Sequence, residues 1–140
     1  MDSASPAQNG SSFAHDQSNM TGHGTRLLPQ VLDSLASTDP NHVLGMAAKI
    51  DISEGFNSYT ALQISQAVNF TAHWLEYQIE KSHTIAYIGI QDFRYWVMEL
   101  AAMKVGHPLL LPSPRNALPN TSLLLEVTNC SVVFYSGYCK

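Results

Sequence analysis

Thr84-Ile85-Ala86-Tyr87-Ile88-Gly89-Ile90 is the stretch that decides the fold. It is apolar and β-branched with little alternation, the pattern of a strand covered on both faces, and a strand covered on both faces belongs to a parallel sheet. Asp92 follows in position to cap a helix, and Phe93, Trp96, Val97, Leu100, Ala101 and Lys104 then recur at 3.6-residue spacing. Gly106 offers a left-handed stop, Pro108 prevents continuation, and the Lys104 stem is expected to snorkel from the rim of the apolar face. Leu109-Leu110-Leu111 reads as a buried strand and Pro112 to Asn116 as a rigid loop. Asn120 or Thr121 is then expected to cap a helix through Leu123, Leu124 and Val127, before a last strand at Ser131 to Tyr135. The order from residue 84 is β-α-β-α-β, which predicts an α/β fold with a right-handed, doubly wound parallel sheet and helices on its faces.

Upstream, Thr60-Ala61-Leu62-Gln63 has the spacing of a capping box. Ile64, Ala67, Val68, Thr71, Trp74, Leu75 and Ile79 keep one face of the following helix apolar over about five turns, ending in Glu80-Lys81-Ser82-His83. Before it, Leu27, Leu28, Val31, Leu32 and Leu35 form a short amphipathic helix with Pro29 in its first turn and Asp39-Pro40 as its stop. His42 to Ala47 reads as an edge strand and Asp51 to Ser58 as a polar loop carrying Gly55. Residues 1–24 are mostly Ser, Ala, Asn, Gln, Gly and Thr, which cannot offset their own ordering entropy, and are expected to form a disordered tail. Residues 25–140 then form one domain, and no internal repeat of fixed period is visible.

The composition limits the function classes. With 7 Lys and Arg against 11 Asp and Glu, the formal charge is −4, and the basic residues are scattered singly, so neither nucleic acid nor an acidic membrane surface is an expected partner. No apolar run reaches the roughly 18 residues of a spanning helix, and Met1 to Pro6 does not resemble a signal peptide, which together read as cytoplasmic. The two cysteines, Cys130 and Cys139, suit reduced thiols better than a disulfide framework or a zinc site. Charged residues make up only 13%, against roughly 25% in typical soluble domains. Some apolar surface is therefore expected to meet a partner.

In open parallel sheets ligands bind beyond the carboxyl ends of the strands, here Gln91-Asp92, Pro112 to Asn116 and Ser136 onward. No dinucleotide-binding or phosphate-binding glycine motif and no G-x-S-x-G nucleophile elbow occurs, so neither nucleotide binding nor acyl transfer by this chain alone is expected. Asp92 suits a helix cap better than a phosphoacceptor, since no acidic pair precedes it for magnesium. Arg115 reads as a solvated arginine in a proline-braced turn rather than an anion site. Cys130 fills a strand entrance, Cys139 an exposed terminus, and neither has the electropositive setting of a reactive thiol. His73 and His83 fall outside the apolar stripe and lack companion ligands, and His15 and His23 offer at best a weak chelate beside Gly22-His23-Gly24. The sequons at Asn69, Asn120 and Asn129 carry no meaning without secretion. No catalytic, cofactor-binding or metal-ligating residue is assigned.

The succession Tyr59-Thr60-Ala61-Leu62, Val68 to Leu75, Thr84 to Gly89, and Leu100-Ala101-Ala102-Met103-Lys104-Val105-Gly106 resembles the start of an adenylate-forming (AMP-binding, acyl-CoA synthetase-like) domain, over roughly residues 26–137. Arg26 to Val31 and Leu110-Leu111-Pro112-Ser113-Pro114-Arg115-Asn116 look like the fungal carboxylic-acid reductase and nonribosomal-peptide-synthetase-like branch. The resemblance implies a parent ligase that activates a carboxylate with ATP and magnesium and passes the acyl group to phosphopantetheine on a carrier domain. Its phosphate loop with lysine, its adenine and magnesium motifs and its lid lysine all follow the region matched here, and Ser136-Gly137 echoes the phosphate loop by two residues at most. The chain is thus expected to be a truncated, inactive N-terminal fragment, without cofactor of its own, whose partners in the parent are the rest of the adenylation domain and a carrier domain. Half a doubly wound sheet with an uncovered last strand is expected to be marginal and sticky. The alternative is a small stand-alone α/β interaction module that binds a protein through the sheet edge at Ser131 to Tyr135.

Overall fold

The computed structural model describes residues 26–136. The tail read at 1–24, with its histidines, and Cys139 lie outside the described residues. The elements run α1 (Leu28–Thr38), β1 (Val43–Ala48), β2 (Phe56–Thr60), α2 (Ala61–Gln78), β3 (Thr84–Ile88), α3 (Phe93–Val105), β4 (Leu109–Leu110), α4 (Leu118–Val127) and β5 (Cys130–Tyr135). β3, β4 and β5 form a parallel sheet in the order β4-β3-β5. From β3 the chain steps to one neighbour and then back across to the other, so two right-handed crossovers place α3 and α4 on opposite faces. This is the doubly wound arrangement that the β-α-β-α-β order predicts.

Local chemistry starts and stops the helices. Thr60 Oγ1 accepts from the Gln63 amide at 3.3 Å while Gln63 Oε1 accepts from the Thr60 amide at 3.0 Å, closing the capping box of α2. Asp92 Oδ1 accepts from the Arg94 amide at 3.0 Å and opens α3. Gly106, at φ 80° and ψ 26°, ends α3 with its amide on the Ala102 carbonyl.

Several expectations are corrected. Asp51 to Ser58 is not a loop throughout: a 3-10 turn at Ile52–Glu54 and Gly55 at φ 89° lead into β2, which pairs antiparallel with β1. The edge strand read at 42–47 runs Val43–Ala48 and pairs with β2 in a separate two-stranded sheet. α4 starts at Leu118 after Ala117, and neither Asn120 nor Thr121 caps it, because Pro119 presets a helical φ in the first turn and their amides already bond the Ala117 carbonyl. The strand read at 84–90 ends at Ile88, and the buried strand at 109–111 shrinks to two half-buried residues.

The core lies where α1, α2 and α3 pack over one face of the sheet. Leu32, Ile64, Val68, Leu75, Leu100 and Ile85 form its centre, with Val132 and Phe134 reaching in from β5. Each such fully buried side chain stabilises by about 1.5–3 kcal/mol. Ala67, Thr71 and Trp74 are not in this stripe; on α2 the buried positions are Ala61, Ile64, Ser65, Val68, Ala72 and Leu75. Among the described residues, no helix is long and apolar enough to cross a membrane.

Candidate functional site

β3 and β5 leave the sheet side by side, and the direction of winding reverses between them. At such a switch point the two crossovers depart over opposite faces and leave a crevice beyond the strand ends. A cleft of about 970 Å³ opens there. Tyr87 and Phe134 from the strands, Ala67 and Thr71 from α2, and Phe93 and Val97 from α3 make most of its wall apolar. The β1-β2 hairpin closes one side, held by the Tyr59 ring on the Phe93 ring with centroids 4.1 Å apart. Gly45 permits that closure, because a Cβ there would stand 2.8 Å from Phe93 Cζ.

The charged groups in the wall are Asp92 and Arg94, and they are engaged with each other. Arg94 Nε lies 3.1 and 3.0 Å from the two Asp92 carboxylate oxygens, and Arg94 Nη2 lies 2.7 Å from Oδ2. These side-chain bonds outweigh the opposing effect of burial and, with the Arg94 amide, hold the Asp92 carboxyl below its ordinary value. The carboxylate caps α3 and anchors Arg94. Among the described residues lining the cleft there is no histidine, cysteine or lysine. The site can enclose an apolar or aromatic group beside the Thr71 side chain.

Of the loops singled out in the sequence, the structure brings Asp92 and Ser136 into the cleft but not Pro112 to Asn116. There Arg115 is exposed, its amide on Ser113 Oγ at 3.3 Å, in a turn closed by Asn116 on the Ser113 carbonyl. Cys130 is half-buried at the entrance of β5 as expected, with Sγ 3.3 Å from the Val132 carbonyl. His73 is exposed; His83 sits at the opposite end of the sheet, with Nδ1 3.2 Å from Ser131 Oγ and Nε2 3.6 Å from Glu80. Among the described residues, no group of three His, Cys, Asp or Glu could hold a metal ion.

Two features escaped sequence reasoning. His107 is buried, with Nδ1 3.1 Å from the His83 carbonyl, tying the start of β4 to that of β3. Lys104 does more than snorkel: its ammonium donates to Asp33 of α1 and to Asn69 of α2, while Ser65 Oγ donates to Asp33 at 2.9 Å. Burial alone would raise the Asp33 carboxyl, and these partners more than reverse it, leaving Asp33 below its ordinary value. Polar residues at 65 and 69, four apart on α2, were the available signal.

No protein-family model matches the chain. An isocyanide synthase-NRPS hybrid of Aspergillus fumigatus is 34% identical over 125 residues, covering 85% of this chain and 8% of that protein. A carboxylic acid reductase of Neurospora crassa is 31% identical over 124 residues, covering 84% of this chain and 12% of its own length. Among solved structures, the N-terminal subdomain of Klebsiella oxytoca NpsA superposes with a TM-score of 0.65 at 15% identity, over 79% of this chain and 27% of that one. The chain belongs to the adenylate-forming, NRPS-like family of these fungal relatives. A fatty acyl CoA synthetase of Mycobacterium tuberculosis shares the fold, at TM-score 0.65 and 22% identity, over 78% of this chain and 21% of that one. The chain spans about a tenth of the length of the two curated relatives.

Proposed function

We propose that the chain supplies one wall of a carboxylate-activating, acyl-adenylate-forming domain and does not form acyl-adenylates by itself. The observation that carries this reading is the switch-point cleft: it has the apolar enclosure of a ligand site, while its charged pair, Asp92 and Arg94, is engaged internally. The described residues do not fit ATP or magnesium, since neither a glycine-rich cradle nor an acidic cluster faces the cleft. In this reading those groups, and the phosphopantetheine of a carrier domain, meet residues other than the ones described. The kinship with adenylate-forming domains supports the reaction class; the acyl substrate belongs to the remainder of the site.

ATP–pyrophosphate exchange over a panel of aliphatic and aromatic carboxylates, with hydroxylamine trapping of acyl-adenylates, tests the proposal. No carboxylate-dependent turnover is expected, and calorimetric titration with ATP and magnesium is expected to show no saturable binding. Exchange that depends on one carboxylate would overturn the reading. The second reading, a stand-alone interaction module, is favoured by the open β5 edge. It requires cooperative unfolding of a well-packed chain, which thermal denaturation followed by near- and far-ultraviolet circular dichroism separates from a molten state.

A further inference from the structure

α1 buries only Pro29 and Leu32, against six residues on α2. Among the described residues, no backbone hydrogen bond joins α1 to another element; the amides of Gln30 and Val31 turn to the Leu27 carbonyl and that of Asp39 to Leu35. Asp33 is the one residue of this helix whose side chain bonds to another element among the described residues. It accepts from the Ser65 hydroxyl of α2 at 2.9 Å and from the Lys104 ammonium of α3, and Lys104 also donates to Asn69. Ser65 is 5% exposed, and its oxygen accepts from Asn69 Nδ2 at 3.4 Å. Withdrawing Asp33 takes away the acceptor of a buried hydroxyl, which is the costly half of losing a hydrogen bond.

The segment after α1 is fixed. The Pro40 carbonyl accepts from the Leu62 amide at 3.1 Å and the His42 carbonyl from the Ala61 amide at 2.8 Å. Both donors belong to the first turn of α2, whose amides have no partner within their own helix. Asp39 precedes a proline and stands outside helical conformation at φ −142° and ψ 74°, so a pivot lies between a lightly held helix and a pinned segment. Once off α2, α1 has little to keep it helical. At 11 residues it is shorter than the roughly 12–15 that an isolated helix needs in water. The Ser37 and Thr38 hydroxyls donate to the Asp33 and Ser34 carbonyls, each at 2.9 Å, which weakens the helix further.

We propose that α1 is a latch: it opens and melts as a unit about Asp39, with Asp33 as the catch, while α2, α3 and the parallel sheet stay folded. Local openings of this kind cost less free energy than global unfolding and draw on segments with few buried apolar side chains. Opening uncovers Ser65 and breaks the charged bridge from α1 to α3. Any change that removes the charge of Asp33 or of Lys104 therefore shifts the latch toward the open state. Its working parts lie within residues 28–104, and it is independent of the acyl-adenylate reading.

Native-state hydrogen exchange of the full 140-residue chain tests it, with Asp33→Asn, Lys104→Met and Ile85→Val as variants. In the wild type, amides 32–38 are expected to exchange faster than those of β3 and with a shallower dependence on urea, since opening α1 exposes less surface than unfolding the whole chain. Asp33→Asn keeps the shape of the catch and Lys104→Met the apolar stem, each without the charge. Each is expected to speed the α1 amides roughly tenfold, the factor for one charge-assisted hydrogen bond. Ile85→Val loosens the sheet and not the catch, and is expected to speed the β3 amides while leaving α1 at its wild-type rate. Should both clasp variants fail to fold, the wild type and Ile85→Val still decide. α1 and β3 amides that share one rate and one urea slope, an Ile85→Val that moves both alike, or folded clasp variants whose α1 amides keep the wild-type rate would each overturn the proposal.

Discussion

Ser82 and Asn129 both hold left-handed backbone, at φ 67° and 48°, in the turns that feed β3 and β5. For an L-residue this conformation costs roughly 1–2 kcal/mol, less for asparagine, whose side chain bonds locally. Ser82→Gly is therefore expected to stabilise the chain by up to about 1 kcal/mol after the added freedom of the unfolded state is subtracted, and Asn129→Gly to change little. Urea midpoints of the two variants check the order. Gly45 makes the opposite demand. Gly45→Val drives a side chain into Phe93 and lifts that ring from Tyr59, and is expected to cost about 1–3 kcal/mol in the same measurement. None of these positions stands out in the sequence, because a backbone angle or an approach between residues 45 and 93 leaves no mark in local composition.

Elements were legible wherever their signal is short-range. Thr60 with Gln63, Asp92, and Gly106 each act within a few residues of themselves, and each start or stop stands where the sequence places it. Thr60→Ala and Asp92→Ala are each expected to cost about 1 kcal/mol, and Asp92→Asn less, in thermal unfolding. β2 was hidden because Asn57 and Ser58 are exposed and its hairpin stands apart from the main sheet, so no apolar alternation marks it. The Asp33–Lys104 clasp was hidden because its partners are 71 positions apart. Its pH dependence has a definite sign. Asp33 in the folded chain lies below its ordinary 3.8, so the clasp contributes fully above that value and is lost as pH falls through the lower, folded one. Wild-type urea midpoints are expected to drop in that acid range, and Asp33→Asn to be less stable at neutral pH with a flatter acid limb.

At the scale of the whole molecule, the apolar runs at 84–90, 109–111 and 131–135 announce three strands of a parallel sheet, and the family resemblance agrees with them. Such runs say which segments are buried but not which lie side by side, so the order β4-β3-β5, and with it the place of the cleft, came only from the structure. The buried cluster lies between Leu32 and Ala102 and is extended by partners as far as Phe134. The two tryptophans stand at different frontiers: Trp96 beside Phe93, with ring centroids 6.2 Å apart, and Trp74 at the flank of β5. The chain thus carries its own optical gauge. In a Trp96→Phe background, the emission of the half-exposed Trp74 indole moves to the blue when anything settles beside β5 and to the red when that strand lets go, so occupancy of the sheet edge can be followed in real time without a dye.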